Sequence, residues 1–397
     1  MNTIERYAKG KKFLLLLAVN LFVIFVVLVV IEIASYFFMK HATVQMSQGM
    51  TSGEFALSNP VAFAGTDDFE EVMKGMSGNT NCPTNRIIFD SISGFPRFEI
   101  DDIECDGPEN IVKGLRKTTN QEEHPKNHIY MFGGSAMWGT GSADRNTIAS
   151  LLQSYLIANN KRYAVFNYGF STVVAHQELS RLKTLHLDNG DVVIFYDGAN
   201  DIWQGVVYGR PSGTIIGYNE ANSLRVLLNK IKFFLFSNSN FYSVLGWLKH
   251  QKPSDMYSEC QKLDSAETIS RAERGFDIYR TSLMEAREYA EVKGAHFFHF
   301  FQPMAISKRP FSPYIQGLLD HMPLDIKCGL DVAEKGFQYY KDRYRDIQRE
   351  MNAFDISEVL DSASSGREYF FDLNHVSSSG NKKVADEIYA RISRLLN

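Results

Sequence analysis

A chain of 397 residues with 44% hydrophobic and 22% charged side chains has the material for a packed core, either as two average domains or as one α/β domain carrying insertions. That balance excludes a largely disordered protein. A formal charge of −4 and a pI near 6.2 leave no basic field for a phosphate backbone, so nucleic acid is not an expected partner.

Residues 13–31 are apolar except for Asn20, and apolar character resumes after Glu32 and continues to Met39. A helix over 13–39 would rise about 40 Å, more than the roughly 30 Å of bilayer hydrocarbon, so the segment reads as a single transmembrane anchor with tilt or frayed ends. Arg6, Lys9, Lys11 and Lys12 precede it against Glu5 alone, whereas Lys40 after it is followed by Glu54, Asp67, Asp68, Glu70 and Glu71. The positive flank, residues 1–12, is expected in the cytoplasm and the rest of the chain outside, in the periplasm or at the cell surface. A cleaved signal peptide is the alternative. The apolar run is longer than a usual signal core, and no clear small-x-small site follows it.

An exported chain can form disulfides, and the cysteines are four: Cys82, Cys105, Cys260 and Cys328. Of the possible full pairings, the sequentially local one (Cys82 with Cys105, Cys260 with Cys328) is expected, because each pair lies to one side of the central motifs. Their spacings match no zinc motif, and neither a metal nor a cofactor is expected.

Residues 40–125 scatter Gly, Ser, Asn, Asp and Pro among few periodic runs and read as a membrane-proximal irregular segment. From 126 to 397, short apolar runs alternate with longer helical stretches, the pattern of an α/β domain with a parallel sheet and crossover helices. Strands are predicted at 128–132, 163–167, 192–196 and 296–301, and helices at 147–157, 176–187, 270–293 and 378–396. The last helix repeats Val384, Ile388, Ile392 and Leu396 every four residues, one buried stripe. An insertion at 204–268 contains the apolar stretch 224–247, expected as a helical pair packed on the core. A lid, an acyl-chain groove or a second contact with the bilayer are the alternatives.

The first predicted strand runs into Gly133-Gly134-Ser135-Ala136-Met137-Trp138. A serine in a glycine-rich turn at a strand's carboxyl end is exposed where open α/β sheets bind ligands, with Gly134 and Trp138 as candidate substrate-lining neighbours. The second strand leads to Asn167-Tyr168-Gly169. The third leads to Asp197-Gly198-Ala199-Asn200-Asp201, where Asn200 offers an amide donor and Asp201 is a further lining candidate. Before the terminal helix, Asp372-Leu373-Asn374-His375 sets a carboxylate one turn from an imidazole, the spacing that fixes a histidine tautomer and stabilises its imidazolium. Each block alone is ordinary, since turns favour Gly, Asn and Asp and helices favour an aspartate cap.

Their order is the informative part. Gly-x-Ser, Gly, Gly-x-Asn-Asp and Asp-x-x-His, with Ser377 and Gly380 following the histidine, resemble the SGNH hydrolases, also called GDSL-type esterases, over roughly 126–397. The resemblance implies a flavodoxin-like three-layer α/β/α fold, with Ser135 as nucleophile, His375 as base and Asp372 as its partner. It also implies an oxyanion hole from the N–H groups of Ser135 and Gly169 and the side-chain amide of Asn200. Gly134 stands where the family's Gly-Asp-Ser-Leu run has aspartate, and this loosens any link to the substrates of its secreted lipases. The stretch 110–118, with Gly114-Leu115-Arg116-Lys117-Thr118, and the pair Gln302-Pro303 resemble membrane-anchored bacterial members, which makes Gln302 another lining candidate. His128, His296 and His299 alternate with apolar residues in predicted strands and read as structural, whereas His176 is a possible site residue.

Three functions suit this constellation. One is an esterase removing short acyl groups, acetyl above all, from an exported small molecule or envelope glycan. The second is an O-acyltransferase with the same triad and a sugar acceptor. The third is a non-catalytic glycan-binding protein or scaffold, against which all five site residues speak.

Overall fold

A computed structural model of the chain describes residues 18–37, 109–213, 263–360 and 367–396 apart from Lys308 and Pro323. It also describes Leu16, Ala56, residues 58–63 and 68–70, Val72 and the strand residues 87–89, 96–98 and 102–103. The chain divides into two compact units, Met1–Gly49 with Gly217–Ser254, and Met50–Ile216 with Asp255–Asn397. In the first, the described element is α1 (Ala18–Phe37), whose 20 residues span about 30 Å and are long and apolar enough to cross a bilayer. A signal sequence shares that length and composition.

The second unit carries a small antiparallel hairpin, β1 (Ile87–Phe89) with β2 (Pro96–Phe98), and an eight-stranded sheet. The sheet contains β3 (Asp102–Ile103), β4 (Ile111–Val112), β5 (Leu115–Arg116), β6 (Asn127–Gly133), β7 (Tyr163–Gly169), β8 (Val192–Asp197), β9 (His296–Phe301) and β10 (Ala353–Asp355). Its order is β10-β9-β8-β6-β7-β5-β4-β3. The strands from β10 to β7 are parallel, and β5, β4 and β3 extend the edge in antiparallel fashion. Counted among themselves, the parallel strands follow the 2-1-3-4-5 order of flavodoxin-like folds, whose switch point lies between the first strand and the third, here β6 and β8. Four of these five were expected within a residue or two of their bounds; β10 and the antiparallel edge were not.

The helices are α2 (Ser135–Trp138), α3 (Ile148–Ala158), α4 (Ala175–Leu182), α5 (Ala199–Ile202), α6 (Ser265–Val292), α7 (Pro313–His321), α8 (Leu324–Glu350) and α9 (Ser378–Ile392). From β6 the chain steps outward to β7 and then back across to β8. Right-handed crossovers therefore place α3 and α4 on opposite faces of the sheet. α9 packs on α3, while α6 packs on α4 and α8, which completes three layers. With helices on both faces, every residue of β8 is buried, which is why its sequence is a continuous apolar run rather than an alternation.

Caps account for several boundaries. Thr147 accepts from the Ser150 N–H at the start of α3, and Asp264 accepts from the Glu267 N–H at 2.8 Å to start α6 earlier than periodicity alone indicates. The α9 stripe of Val384, Ile388 and Ile392 is buried in the core as expected, although the helix stops at Ile392.

The core and the sheet draw on residues well before 126, the expected start of the folded domain. Ala56, Phe63, Phe69 and Val72 join the main hydrophobic cluster, and β3 to β5 belong to the main sheet. Most of the insertion, residues 214–262 with the apolar stretch 224–247, lies outside the described residues. Cys328 is disulfide-bonded; Cys82, Cys105 and Cys260, and so the expected pairing, lie outside the described residues too.

Candidate active site

The in-register pairing of Gly133 with Gly169 and with Tyr196 sets the ends of β7, β6 and β8 at one level, the carboxyl edge at the switch point. The chain leaves β6 through Gly133, where a β-carbon would lie 2.3 Å from the Tyr196 carbonyl oxygen, and turns directly into α2. Ser135 is the first residue of that helix and is partly exposed. Its N–H, one of the donors a helix start leaves unpaired, has no acceptor among the described residues.

The loop 372–375 meets Ser135 from the far end of the chain. Asp372 Oδ1 accepts the N–H groups of Asn374 (2.8 Å) and His375 (2.7 Å), a local turn that leaves Oδ2 for the imidazole. His375 Nδ1 donates to Asp372 Oδ2 at 2.5 Å, which leaves Nε2 to accept the Ser135 hydroxyl at 2.7 Å. Phe371 stacks on the His375 ring at 5.7 Å, and Trp203 Nε1 donates to the Asn374 side-chain oxygen at 3.3 Å, so the loop is held on both sides. Burial acts to lower the His375 pKa, but the charge and hydrogen bond of Asp372 outweigh it and raise it above the ordinary 6.5. For Asp372, burial acts to raise the pKa; the His375 charge and the hydrogen bonds to its oxygens hold it below the usual carboxylate value.

Asn200, in the first turn of α5, reaches over Gly134: a β-carbon on Gly134 would stand 2.2 Å from its Nδ2. Glycine at 134 therefore admits the Asn200 amide beside the Ser135 N–H in this arrangement. One N–H of that amide donates to the Val173 carbonyl at 2.8 Å, which fixes its plane. Gly169 stands at the same edge, but its N–H donates to Asn167 Oδ1 at 2.9 Å. It can serve an oxyanion only by sharing or releasing that bond. A β-carbon on Gly169 would lie 2.2 Å from the Trp138 nitrogen, so this glycine also lets β7 approach α2 closely.

The lining candidates divide. Trp138 is partly exposed next to Ser135, with Phe170 edge-on at 6.0 Å and the Arg116 guanidinium 5.4 Å from its ring. Arg116, from the Gly-Leu-Arg-x-Thr stretch, is fully buried and bonds Asp144 Oδ1 and the Ser142 carbonyl, both at 2.8 Å, so it braces the wall behind the serine. Asp201 does not line the site: it is 3% exposed and accepts the Ala175 N–H at 3.0 Å, a cap on α4. Gln302 is likewise enclosed at 3% exposure, its N–H continuing the ladder to the Asp197 carbonyl. His176 is exposed in the first turn of α4, His296 is exposed at the start of β9, and His299 is buried in the core.

Two positioning features escaped the sequence reading. Asn167 is buried at the end of β7, where its Nδ2 donates to the Met137 carbonyl at 3.0 Å and ties α2 to the sheet. An Asn inside an apolar strand was the available signal. The second is a buried group beneath Asn200: Asp197 Oδ1 accepts from the Tyr279 hydroxyl (2.8 Å) and from His299 Nε2 (2.7 Å), and Glu178 lies close by at 0% exposure. Burial first, then the Asp197 charge, pushes the Glu178 and Asp201 carboxyls well above the usual range.

At the other end of the sheet, His128, Asp188 and Asp191 have ligand atoms within 4.8 Å of one another. Asp191 spends its oxygens on the N–H groups of His128 and Asp188, both at 2.8 Å, which closes the turn into β8.

No family model and no curated protein matches the chain. Solved structures similar to it include a member of the lipolytic protein G-D-S-L family from Veillonella parvula, at 14% identity, covering 67% of this chain and 98% of that one, with a TM-score of 0.36. Another is TesA, at 11% identity, 68% and 100% coverage and a TM-score of 0.36. A third is a mutant of an acetyl-xylooligosaccharide esterase from Geobacillus, at 12% identity, 68% and 96% coverage and a TM-score of 0.36.

Proposed function

We propose that the chain is a serine ester hydrolase that works through Ser135, His375 and Asp372. The observation that carries this reading is the continuous hydrogen-bonded path from the Ser135 hydroxyl through His375 to Asp372, partly open to solvent at the sheet's switch point. Serine attacks an ester only as its proton leaves, and His375 Nε2 is in place to take it. The Ser135 Oγ–carbonyl carbon bond forms while the carbonyl π pair moves onto oxygen. The Ser135 N–H and the Asn200 amide supply donors for that oxyanion, each worth about 3 kcal/mol when preorganised. Collapse breaks the bond to the alkoxide, which takes the proton from His375. Water then repeats the sequence on the acyl-enzyme, releasing the acid and restoring Ser135.

The substrate class we infer is a short acyl ester, acetyl above all, on an exported small molecule or envelope glycan. α1 as an uncleaved anchor, with residues 1–12 in the cytoplasm, suits that assignment. Acyl transfer to a sugar hydroxyl uses the same first half-reaction and is the alternative end of the cycle.

Full-length protein is expected to hydrolyse 4-nitrophenyl acetate, and Ser135→Ala to lower kcat by on the order of 10⁴ to 10⁶; turnover by the variant at the wild-type rate would remove Ser135 from the mechanism. For topology, alkaline phosphatase fused after residue 397 is expected to be active, since that reporter works only outside the cytoplasm. An inactive but stable fusion would reverse the orientation.

A further inference from the structure

The buried group under Asn200 has no part in the steps above, yet it is built into the two segments that hold the oxyanion donor. Asn200 and Asp201 are consecutive, and each grips the same short run of chain: Asn200 Nδ2 donates to the Val173 carbonyl at 2.8 Å, and Asp201 Oδ1 accepts the Ala175 N–H at 3.0 Å. Glu178 follows one turn later on α4, at 0% exposure. Neither of its oxygens has a hydrogen-bond partner among the described residues, and the same holds for Asp197 Oδ2 and Asp201 Oδ2.

Three buried carboxyl groups, from α4, β8 and α5, therefore lie close enough to act on one another. The other polar groups facing it are His299 from β9, Tyr279 from α6, and Tyr340 and Tyr344 from α8. His299 Nε2 and the Tyr279 hydroxyl both serve Asp197 Oδ1, so the partnered side of Asp197 is complete and its second oxygen is free to accept. The described side chains offer no cation to Glu178. An ionised, unpartnered carboxylate at that depth carries a large desolvation cost, and beside two other carboxyls it adds repulsion; a proton on Glu178 removes both and creates the donor that Asp197 Oδ2 lacks.

We propose that Glu178 is a positioning residue: its carboxylic acid proton bridges α4 to Asp197, and that bridge keeps the 173–175 segment, and with it the Asn200 amide, in place over Ser135. Loss of the proton sets a negative charge against the Asp197 and Asp201 carboxyls, drives α4 away from α5 and releases the Val173 contact that orients Asn200. The oxyanion donor is then misplaced while Ser135, His375 and Asp372 stay intact, so the effect falls on kcat rather than KM. The burial-driven rise of the Glu178 and Asp201 pKa values agrees with this arrangement.

The inference rests on the ester-hydrolase reading for its kinetic consequence but not for its structural one, so two readouts are taken on full-length wild type, Glu178→Gln and Glu178→Ala from pH 6.5 to 10. With 4-nitrophenyl acetate, wild-type kcat is expected to fall reversibly on the alkaline side, by about tenfold per pH unit once Glu178 has titrated. Glu178→Gln, which keeps a donor that cannot ionise, is expected to follow the rise set by His375 and then show no alkaline fall, and Glu178→Ala to be slow throughout with KM little changed. Melting temperature over the same range is expected to drop more steeply with rising pH in wild type than in Glu178→Gln, which keeps only the losses due to His375 and Asp201, because a carboxyl whose folded pKa is raised loses its stabilisation as pH climbs. Parallel alkaline losses in wild type and Glu178→Gln, in rate and in melting temperature, would overturn the proposal. If no form hydrolyses the ester, the hydrolase reading falls, and the melting comparison still decides for or against the protonated bridge.

Discussion

The proton affinity of His375 is set by two opposed effects on one imidazole. Burial favours the neutral base, while the Asp372 carboxylate at 2.5 Å favours the cation, and the second prevails. A general base must be neutral to act, so activity should rise with pH through a midpoint above 6.5. The same shift means that the ion pair contributes stability below the ordinary imidazole value, and that this contribution is lost as pH rises through the folded one. Asp372→Asn removes the raising influence and leaves burial, so the acid limb is expected to move to lower pH while kcat falls by about 10³ to 10⁴. A pH–rate profile of both forms checks this; an unshifted limb in the variant would separate Asp372 from the base. At this scale the sequence was partly legible. Ser135, Asn200, Asp372 and His375 could be named as candidates because each sits in a short block with a recognisable neighbour, and the structure brings them to one sheet edge. Asp201 and Gln302 were misplaced because adjacency along the chain says nothing about which way a side chain is buried. Asn167 and Glu178 were missed because what surrounds them, the Met137 carbonyl for the first and the Asp197 and Asp201 carboxyls for the second, comes from other elements of the chain.

Among the elements, the parallel strands were readable because a sheet covered on both faces demands continuous apolar runs such as 192–196. The antiparallel edge was not, since β3, β4 and β5 have two residues each and no period to detect. α8 is amphipathic but polar over most of its surface, and its buried Phe337, Tyr340, Tyr344 and Ile347 stand out only once β9 and α6 are known to pack against that face. The segment before 126 read as irregular because its anchoring, apolar through Phe63 and Phe69 and polar through Asp68, is long-range. Asp68, 1% exposed, accepts the Ala143 N–H at 2.8 Å and the Ser378 hydroxyl, joining that segment to the loop between α2 and α3 and to the start of α9. Removing it strands two buried donors at about 1 to 3 kcal/mol each. Asp68→Ala is accordingly expected to lower the melting temperature of the full-length chain by several degrees. A melting temperature equal to wild type would show that residues 56–72 are not part of the folded core.

For the whole molecule, fold and chemistry have one origin. The 2-1-3-4-5 order opens a crevice beside β6, and the chain uses it by ending β6 in glycines, starting α2 with Ser135 and bringing the last loop back across the edge. Residues some 240 positions apart therefore share a 2.7 Å hydrogen bond, which no local pattern could disclose. The account's central claim is that this bond makes Ser135 a nucleophile. Its most direct test is mass spectrometry of the full-length chain after exposure to a fluorophosphonate, which captures an activated serine by displacement of fluoride. The expected result is one covalent adduct, on Ser135, formed slower by on the order of 10³ or more in His375→Ala. An adduct on another residue with Ser135 unmodified, or equally fast labelling without His375, would contradict it.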